Sequence, residues 1–236
     1  MFSVTAMQSF ELFSIEHILT FFVFVGICFM LVHFRRDLKP HQKKMKWTLF
    51  IILITCEISH QIWVLSTNQW GVEDLPIQLC SVSTFIAMYL FLKSNEKLFH
   101  LLFFIGVFPP ILSMVTPEMV YQFPHYRFLK YFLHHSAIPL AVLYFIFYEG
   151  YRVPYKAVIR SFVALNILAT PIFFINMFLG TNFFYLANPT ESKTILSFFG
   201  SGFWYYINLE LAALLIFFLT YIPMARLIRR EGRIAG

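Results

Sequence analysis

Glu57, His60 and Gln61 stand at i, i+3 and i+4 within one apolar stretch, so a helix there carries all three on one face. Gln78 and Cys80 open the next stretch, His134 and His135 sit side by side in another, and Asn208 and Glu210 lie in the last. Asn166 and Asn176 fall in the stretch before it. A thiol together with imidazoles is the material of nucleophilic catalysis. A free thiol has a pKa of about 8.5, so it needs a neighbouring base to become a thiolate. A histidine, oriented in turn by a Glu or an Asn, is the usual base. The same residue types also bind metals. Glu57-x-x-His60 has the spacing of a helix-borne ligand pair, which His134 and His135 would complete as a zinc site. A di-iron bundle would want a second Glu-x-x-His, and the sequence has none. The plainest alternative is a hydrogen-bonded seam between helices.

Seven apolar stretches must position these groups, at roughly 17–34, 47–66, 75–92, 98–115, 128–148, 157–178 and 201–222. Each is long enough for a spanning helix of about 20 residues. Ionisable groups inside a bilayer cost on the order of 3 kcal/mol each, so they need a reason to be there. With about 1.5 Å of rise per residue, Cys80, His60 and Asn208 fall roughly 9 Å below the outer ends of their helices. His134 and His135 fall roughly 10 to 12 Å below theirs. Four helices thus bring polar groups to one level, which points to a cavity in the outer half of the membrane. Phe108-Pro109-Pro110 is expected to bend or break the fourth helix near its outer end, and Pro139 and Pro171 to kink the fifth and sixth. Tyr126 and Arg127 sit where interface anchors belong, and Arg127 is also a candidate contact for a headgroup phosphate.

The orientation follows from the basic residues. The first, third and fifth links and the C-terminal tail hold 15 of the 18 Lys and Arg. Positive residues stay in the cytoplasm during insertion, so the N-terminus is outside and the C-terminus inside. A hydrophobic fraction of 59% and a charged fraction of 13% agree with a membrane protein. The net charge of +6 is then the signature of topology and of attraction to anionic lipid, not of nucleic-acid binding. The expected organisation is a single all-α transmembrane domain over 1–236. Residues 1–16 form an interfacial segment, 17–222 a seven-helix bundle and 223–236 a basic cytoplasmic tail. The first 16 residues hold no Lys or Arg, which fits an N-out anchor and not a cleavable signal. Cys28, Cys56 and Cys80 are an odd number within apolar stretches, which argues against a disulfide framework. The link 179–200 mixes polar residues with five Phe and Tyr and is expected to dip into the headgroups as a lid.

Several strings occur together in a familiar order. They are Leu75-Pro76-Ile77-Gln78-Leu79-Cys80, then Phe123-Pro124-His125-Tyr126-Arg127-Phe128 with Phe132 and His135, then Glu149-Gly150-Tyr151-Arg152 and Gly180-Thr181-Asn182-Phe183. Together they resemble the YwaF-like family of bacterial multi-pass membrane proteins, which is related to the eukaryotic transmembrane protein 164 family. The eukaryotic relatives are implied to be acyltransferases that remodel ether phospholipids with a membrane Cys and a His. Carried over, the resemblance makes Cys80 the nucleophile and His135 the base, with His134 as the competing assignment. The resulting expectation is acyl transfer on a phospholipid or lipid-linked substrate in the cell membrane, with no cofactor. Gln78 or Asn208 would donate to the oxyanion, Glu57 and His60 would orient or tune the base, and membrane lipids would be the partners. A small-solute transporter is the alternative from another class, and a zinc-dependent lipid hydrolase a third.

Overall fold

Each of the seven apolar stretches forms a helical span. The computed structural model describes residues 2–4, 9–189 and 195–234. Among these, the helices are α1 (Ile15–His33), α2 (Arg35–Leu38), α3 (Gln42–Ser66), α4 (Leu79–Leu92), α5 (Glu96–Ile105), α6 (Phe108–Val115), α7 (Tyr126–Phe147), α8 (Lys156–Leu179) and α9 (Gly202–Ile234). Seven spans built from them are long and apolar enough to cross a membrane. Among the described residues no strand forms, and the only sheet-like contact is one bridge between Ser9 and Tyr121.

Local chemistry sets the helix ends. Ser14 caps α1 by accepting from the His17 N–H at 3.4 Å, and Asn95 caps α5 by accepting from the Leu98 N–H at 3.0 Å. His125 caps α7 through Nδ1, which accepts from the Arg127 N–H at 3.1 Å. Helix α8 stops at Gly180, whose φ of 68° belongs to the left-handed region where a side chain would be strained.

Two expectations are corrected. The fourth span does break, but at its middle and not at its outer end. Helix α5 closes at Gly106 and α6 restarts at Phe108, with Pro109 and Pro110 in its first turn. Proline is tolerated there because first-turn N–H groups have no helical acceptor anyway. A Cβ at Gly106 would lie 2.6 Å from the Leu102 carbonyl oxygen and 3.2 Å from Ile138, so the position requires glycine. The third span is not helical from its start. A short 3-10 turn, Val72–Asp74, is followed by a tight turn in which the Ile77 N–H donates to the Leu75 carbonyl at 2.7 Å, and the helix begins only at Leu79. Pro76 disfavours a helical conformation at Leu75, which has ψ 133°. Helix α9 itself runs on to Ile234. It is anchored by Arg152, which grips Glu231 with Nε at 2.8 Å and Nη2 at 2.5 Å.

Helix α7 is the axis of the bundle. In its most apolar window 72% of residues are buried, against 11% for α1 and for α8. It packs on α1, α3, α4 and α6, while α5 packs on α4, α8 and α9. One end of the bundle, here called the aromatic end, is filled by rings. Phe91 meets Phe145, Phe99 meets Tyr151 and Phe104 meets Phe217, each at 4.7 Å between centroids. The other, polar end gathers the C-terminal turns of α3 and the N-terminal turns of α4 and α7. The N-terminal segment is tied over it: Trp63 donates to the Phe2 carbonyl at 3.2 Å, and Tyr121 donates to that of Val4 at 3.0 Å.

Candidate functional site

The loop between α3 and α4 is folded around Asp74. Its Oδ2 accepts from the Gly71 N–H at 3.0 Å, its carbonyl accepts from Gln61 Nε2 at 2.6 Å, and its Oδ1 lies 3.2 Å from His60 Nε2. Fixing Asp74 fixes where α4 begins. Cys80 is therefore the second residue of α4, in its first turn, and not a third of the way down a longer helix as helical rise had implied. The first helical bond is from the Val82 N–H to the Gln78 carbonyl at 2.9 Å. The N–H groups of Leu79, Cys80 and Ser81 thus have no acceptor within the helix. The Gln78 side chain does not cap them; its Oε1 accepts from the Phe184 N–H at 3.2 Å.

Helices α3 and α7 are joined by two rungs. In the first, Arg127 Nη1 donates to His60 Nδ1 at 2.6 Å. A guanidinium only donates, so Nδ1 is the acceptor and His60 Nε2–H points at Asp74. His60 is thereby held neutral between a cation and an anion. The Arg127 guanidinium also lies 5.1 Å above the Trp63 ring. In the second rung, His134 Nε2 lies 3.3 Å from Glu57 Oε1 and 2.7 Å from Thr84 Oγ1 of α4. The shorter contact is the hydrogen bond. Glu57 Oε1 is buried and accepts no hydrogen bond. Both partners are deeply buried, with His134 2% and Glu57 7% exposed.

His135 is held differently. Its Nδ1 donates to the Tyr131 carbonyl at 2.8 Å, and its ring lies 4.1 Å from the Tyr131 ring. A carbonyl only accepts, so Nδ1 carries the proton and Nε2 of the neutral ring keeps its lone pair. Cys80 Sγ makes no hydrogen bond to either histidine. Glu57 and Lys130 are close enough to act on it electrostatically.

A strap passes over the start of α4. Asn176 grips Phe183, accepting from its N–H at 2.8 Å and donating to its carbonyl at 2.9 Å. Tyr205 donates to the Tyr185 carbonyl at 2.6 Å, and the Tyr185 hydroxyl donates to Glu118 at 2.7 Å. Burial and the Glu118 carboxylate push the Tyr185 phenol well above its usual range. Phe184 and Tyr185 take φ of 59° and 56°, a left-handed backbone that aromatic residues rarely adopt. This is the segment expected to act as a lid, apart from 190–194, which lie outside the described residues.

Seven of the eight residues singled out in the sequence thus meet where α3, α4 and α7 converge: Cys80, His134, His135, Glu57, His60, Gln78 and Arg127. The eighth, Asn208, stands apart and donates to the Phe199 carbonyl at 3.0 Å, holding the turn before α9. Glu57 reaches His134 and not His135, and His60 serves Arg127 and Asp74. Arg127 is turned inward onto His60 and Trp63 instead of outward as an interface anchor. Lys130, Tyr131, Thr84 and Asp74 were missed. The first two had a signal, since Arg127, Lys130, Tyr131, His134 and His135 repeat at i, i+3, i+4, i+7 and i+8 along one helical stripe. Asp74 sits in a loop and had none. Among the described residues no three His, Cys, Asp or Glu side chains converge to hold a metal ion. Two surface hollows lie away from the cluster. One of about 230 Å³ between α8 and α9 is lined by Phe173, Asn176, Met177, Ala187 and Tyr206. Another of about 360 Å³ lies beside His33 and Arg35.

No curated protein matches the chain, and no solved structure does. A family model does, that of the TMEM164 family, over residues 12–221. The match runs from just before α1 through most of α9 and takes in every residue of the α3–α4–α7 cluster; this multi-pass membrane protein belongs to the TMEM164 family.

Proposed function

We propose that the chain is a lipid acyltransferase that carries the acyl group on Cys80, with His135 as its base. The observation that supports this most is the place of Cys80 in the first turn of α4, beside N–H groups with no helical acceptor. A thiolate there gains from the positive end of the helix. The oxyanion of an attacked ester would be met by the same backbone N–H groups. They take the role expected of Gln78 and Asn208, because Gln78 Oε1 already serves the strap and Asn208 Nδ2 the Phe199 carbonyl.

The Cys80 thiol gives its proton to His135 Nε2, and the thiolate attacks the ester carbonyl of a donor phospholipid. The tetrahedral intermediate expels the lysolipid alkoxide, which takes the proton back from His135. The thioester on Cys80 is then opened by an acceptor hydroxyl, with His135 again acting first as base and then as acid. His134 keeps α4 in register with α7 through Thr84, and Glu57 lies against His134. The positive-inside partition puts this site in the outer half of the cell membrane, with the N-terminus outside and the C-terminus in the cytoplasm.

The test is transfer of a labelled acyl chain from phospholipid to lysophospholipid in vesicles containing the purified protein. Transfer should survive Cys28→Ser and Cys56→Ser and vanish in Cys80→Ser. Undiminished transfer in Cys80→Ser would end the proposal. One feature favours a second reading, a small-solute transporter: the mid-span break between α5 and α6. Solute flux through such vesicles that is insensitive to Cys80→Ser would support it.

A further inference from the structure

Helices α4 and α7 both start at the polar end and run the same way, and one contact fixes their register. Thr84 Oγ1 meets His134 Nε2 at 2.7 Å. One turn back on each helix stand Cys80 and Lys130, each four residues before the contact and so on the same face as it. That register sets Cys80 and Lys130 at the same level on these two helices, without a hydrogen bond between their side chains. Helix α3 gives a second bearing. It runs the opposite way, and its His60–Arg127 contact of 2.6 Å and Glu57–His134 contact of 3.3 Å bracket Lys130. Three residues separate His60 from Glu57, and three separate Arg127 from Lys130. Lys130 thus lies between the levels of these two α3 contacts and at the level of Cys80 on α4.

The charges agree with that placement. Lys130 feels the charges of Glu57, Arg127, Cys56 and Cys80 at a distance. The ion pairs among the described residues are His60–Asp74, His134–Glu57 and Arg152–Glu231, and Lys130 belongs to none of them. An ammonium inside a spanning helix is costly unless it is compensated. Its neighbourhood must compensate, and the anions it can meet there are the Glu57 carboxylate and a Cys80 thiolate.

We propose that Lys130 is the charge partner of Cys80, its ammonium holding the thiolate in place while Glu57 competes for the same charge. The inference rests on Cys80 being the nucleophile, but thiol reactivity tests it without any substrate. When Cys80 gives its proton to His135 Nε2, the S–H bond breaks, an N–H bond forms, and Lys130 keeps its three protons. Lys130 is a positioning residue: it acts on the nucleophile and touches no reacting atom of the lipid.

The experiment is the rate of Cys80 alkylation by iodoacetamide, in nanodiscs, from about pH 6 to about pH 10. Cys28→Ser and Cys56→Ser leave Cys80 as the sole thiol. Lys130→Met should slow alkylation about tenfold near neutral pH, equivalent to about one pKa unit, with the gap closing at high pH where the thiol ionises unaided. Lys130→Arg should restore most of the rate. Glu57→Gln should act in the opposite direction and speed alkylation, which general loss of structure would not do selectively near neutral pH. An unchanged profile in Lys130→Met overturns the proposal, as does a failure of Lys130→Arg to restore it. If Lys130→Met does not fold, Glu57→Gln decides: faster alkylation supports the pairing, and equal or slower alkylation overturns it. A tenfold effect without any acyl transfer would leave this pairing standing and remove the acyltransferase reading. Transfer without the effect would do the reverse.

Discussion

The two halves of α7 differ in how far they are buried and in what holds them. From Ala137 to Ile146 the helix is enclosed by packing alone, with Ile138, Ala141 and Val142 fully covered and Phe145 set against Phe91 at 4.7 Å. From Arg127 to His135 it leaves Leu129 and Leu133 exposed and is held on its inner face by polar contacts: Arg127 to His60, His134 to Thr84 with Glu57 beside it, and His135 to the Tyr131 carbonyl. Apolar packing accepts many side chains of similar volume, because dispersion and area burial are nondirectional. A buried hydrogen bond accepts very few, because an orphaned partner costs about 1 to 3 kcal/mol. The aromatic half therefore gives the bundle its mass, and the polar half gives it its register. That register is what sets Cys80, Lys130 and His135 at a common level.

Substitutions in the two halves should therefore fail in different ways. The largest effect is expected from Cys80→Ser, which should abolish acyl transfer while leaving thermal unfolding in detergent unchanged within error. His135→Gln should lower the transfer rate by about 100-fold, the lower range for loss of a general base. The loss should be in turnover more than in KM, because His135 takes part in proton transfer and not in lipid binding. Arg127→Gln should act through structure: it unpartners His60 and loosens the Asp74 loop, costing about 1 to 3 kcal/mol of stability. Transfer should then fall only in proportion to the folded fraction. Phe145→Ala should do least to the chemistry, leaving the pH profile of Cys80 alkylation intact while lowering stability by about 3 kcal/mol through the cavity it opens. A Phe145→Ala protein that stays stable but loses Cys80 reactivity would break the division between the halves.

Much of this arrangement was legible in the sequence, and the physical reasons are specific. The seven spans follow from apolar length, because a bilayer admits few alternatives to a helix. The convergence of Glu57, Cys80 and His134 was visible as a shared level along different helices. Which group meets which was not visible, because a partner depends on helix rotation. Glu57 faces His134 since α3 turns that side to α7, and no periodicity in α3 alone reveals it. The start of α4 was misplaced because hydropathy reads through Leu75-Pro76-Ile77 as if it were helix. The break near Pro109 was foreseen, but its site was set by Gly106, where a Cβ would strike the Leu102 carbonyl and side chain. Lys130 was passed over as one of three basic residues on the wrong side of the topology, although such an exception was itself a signal.

The central claim is that Cys80 carries an acyl group, and the most direct measurement is the mass of the protein itself. Purified protein in phospholipid vesicles of defined acyl composition would be quenched in acid and weighed intact, before and after neutral hydroxylamine. The account predicts an added mass equal to one acyl chain, removed by hydroxylamine, mapped by fragmentation to Cys80 and absent in Cys80→Ser. Folded protein that never gains a hydroxylamine-labile mass at Cys80, across donors of differing headgroup and chain, would contradict it.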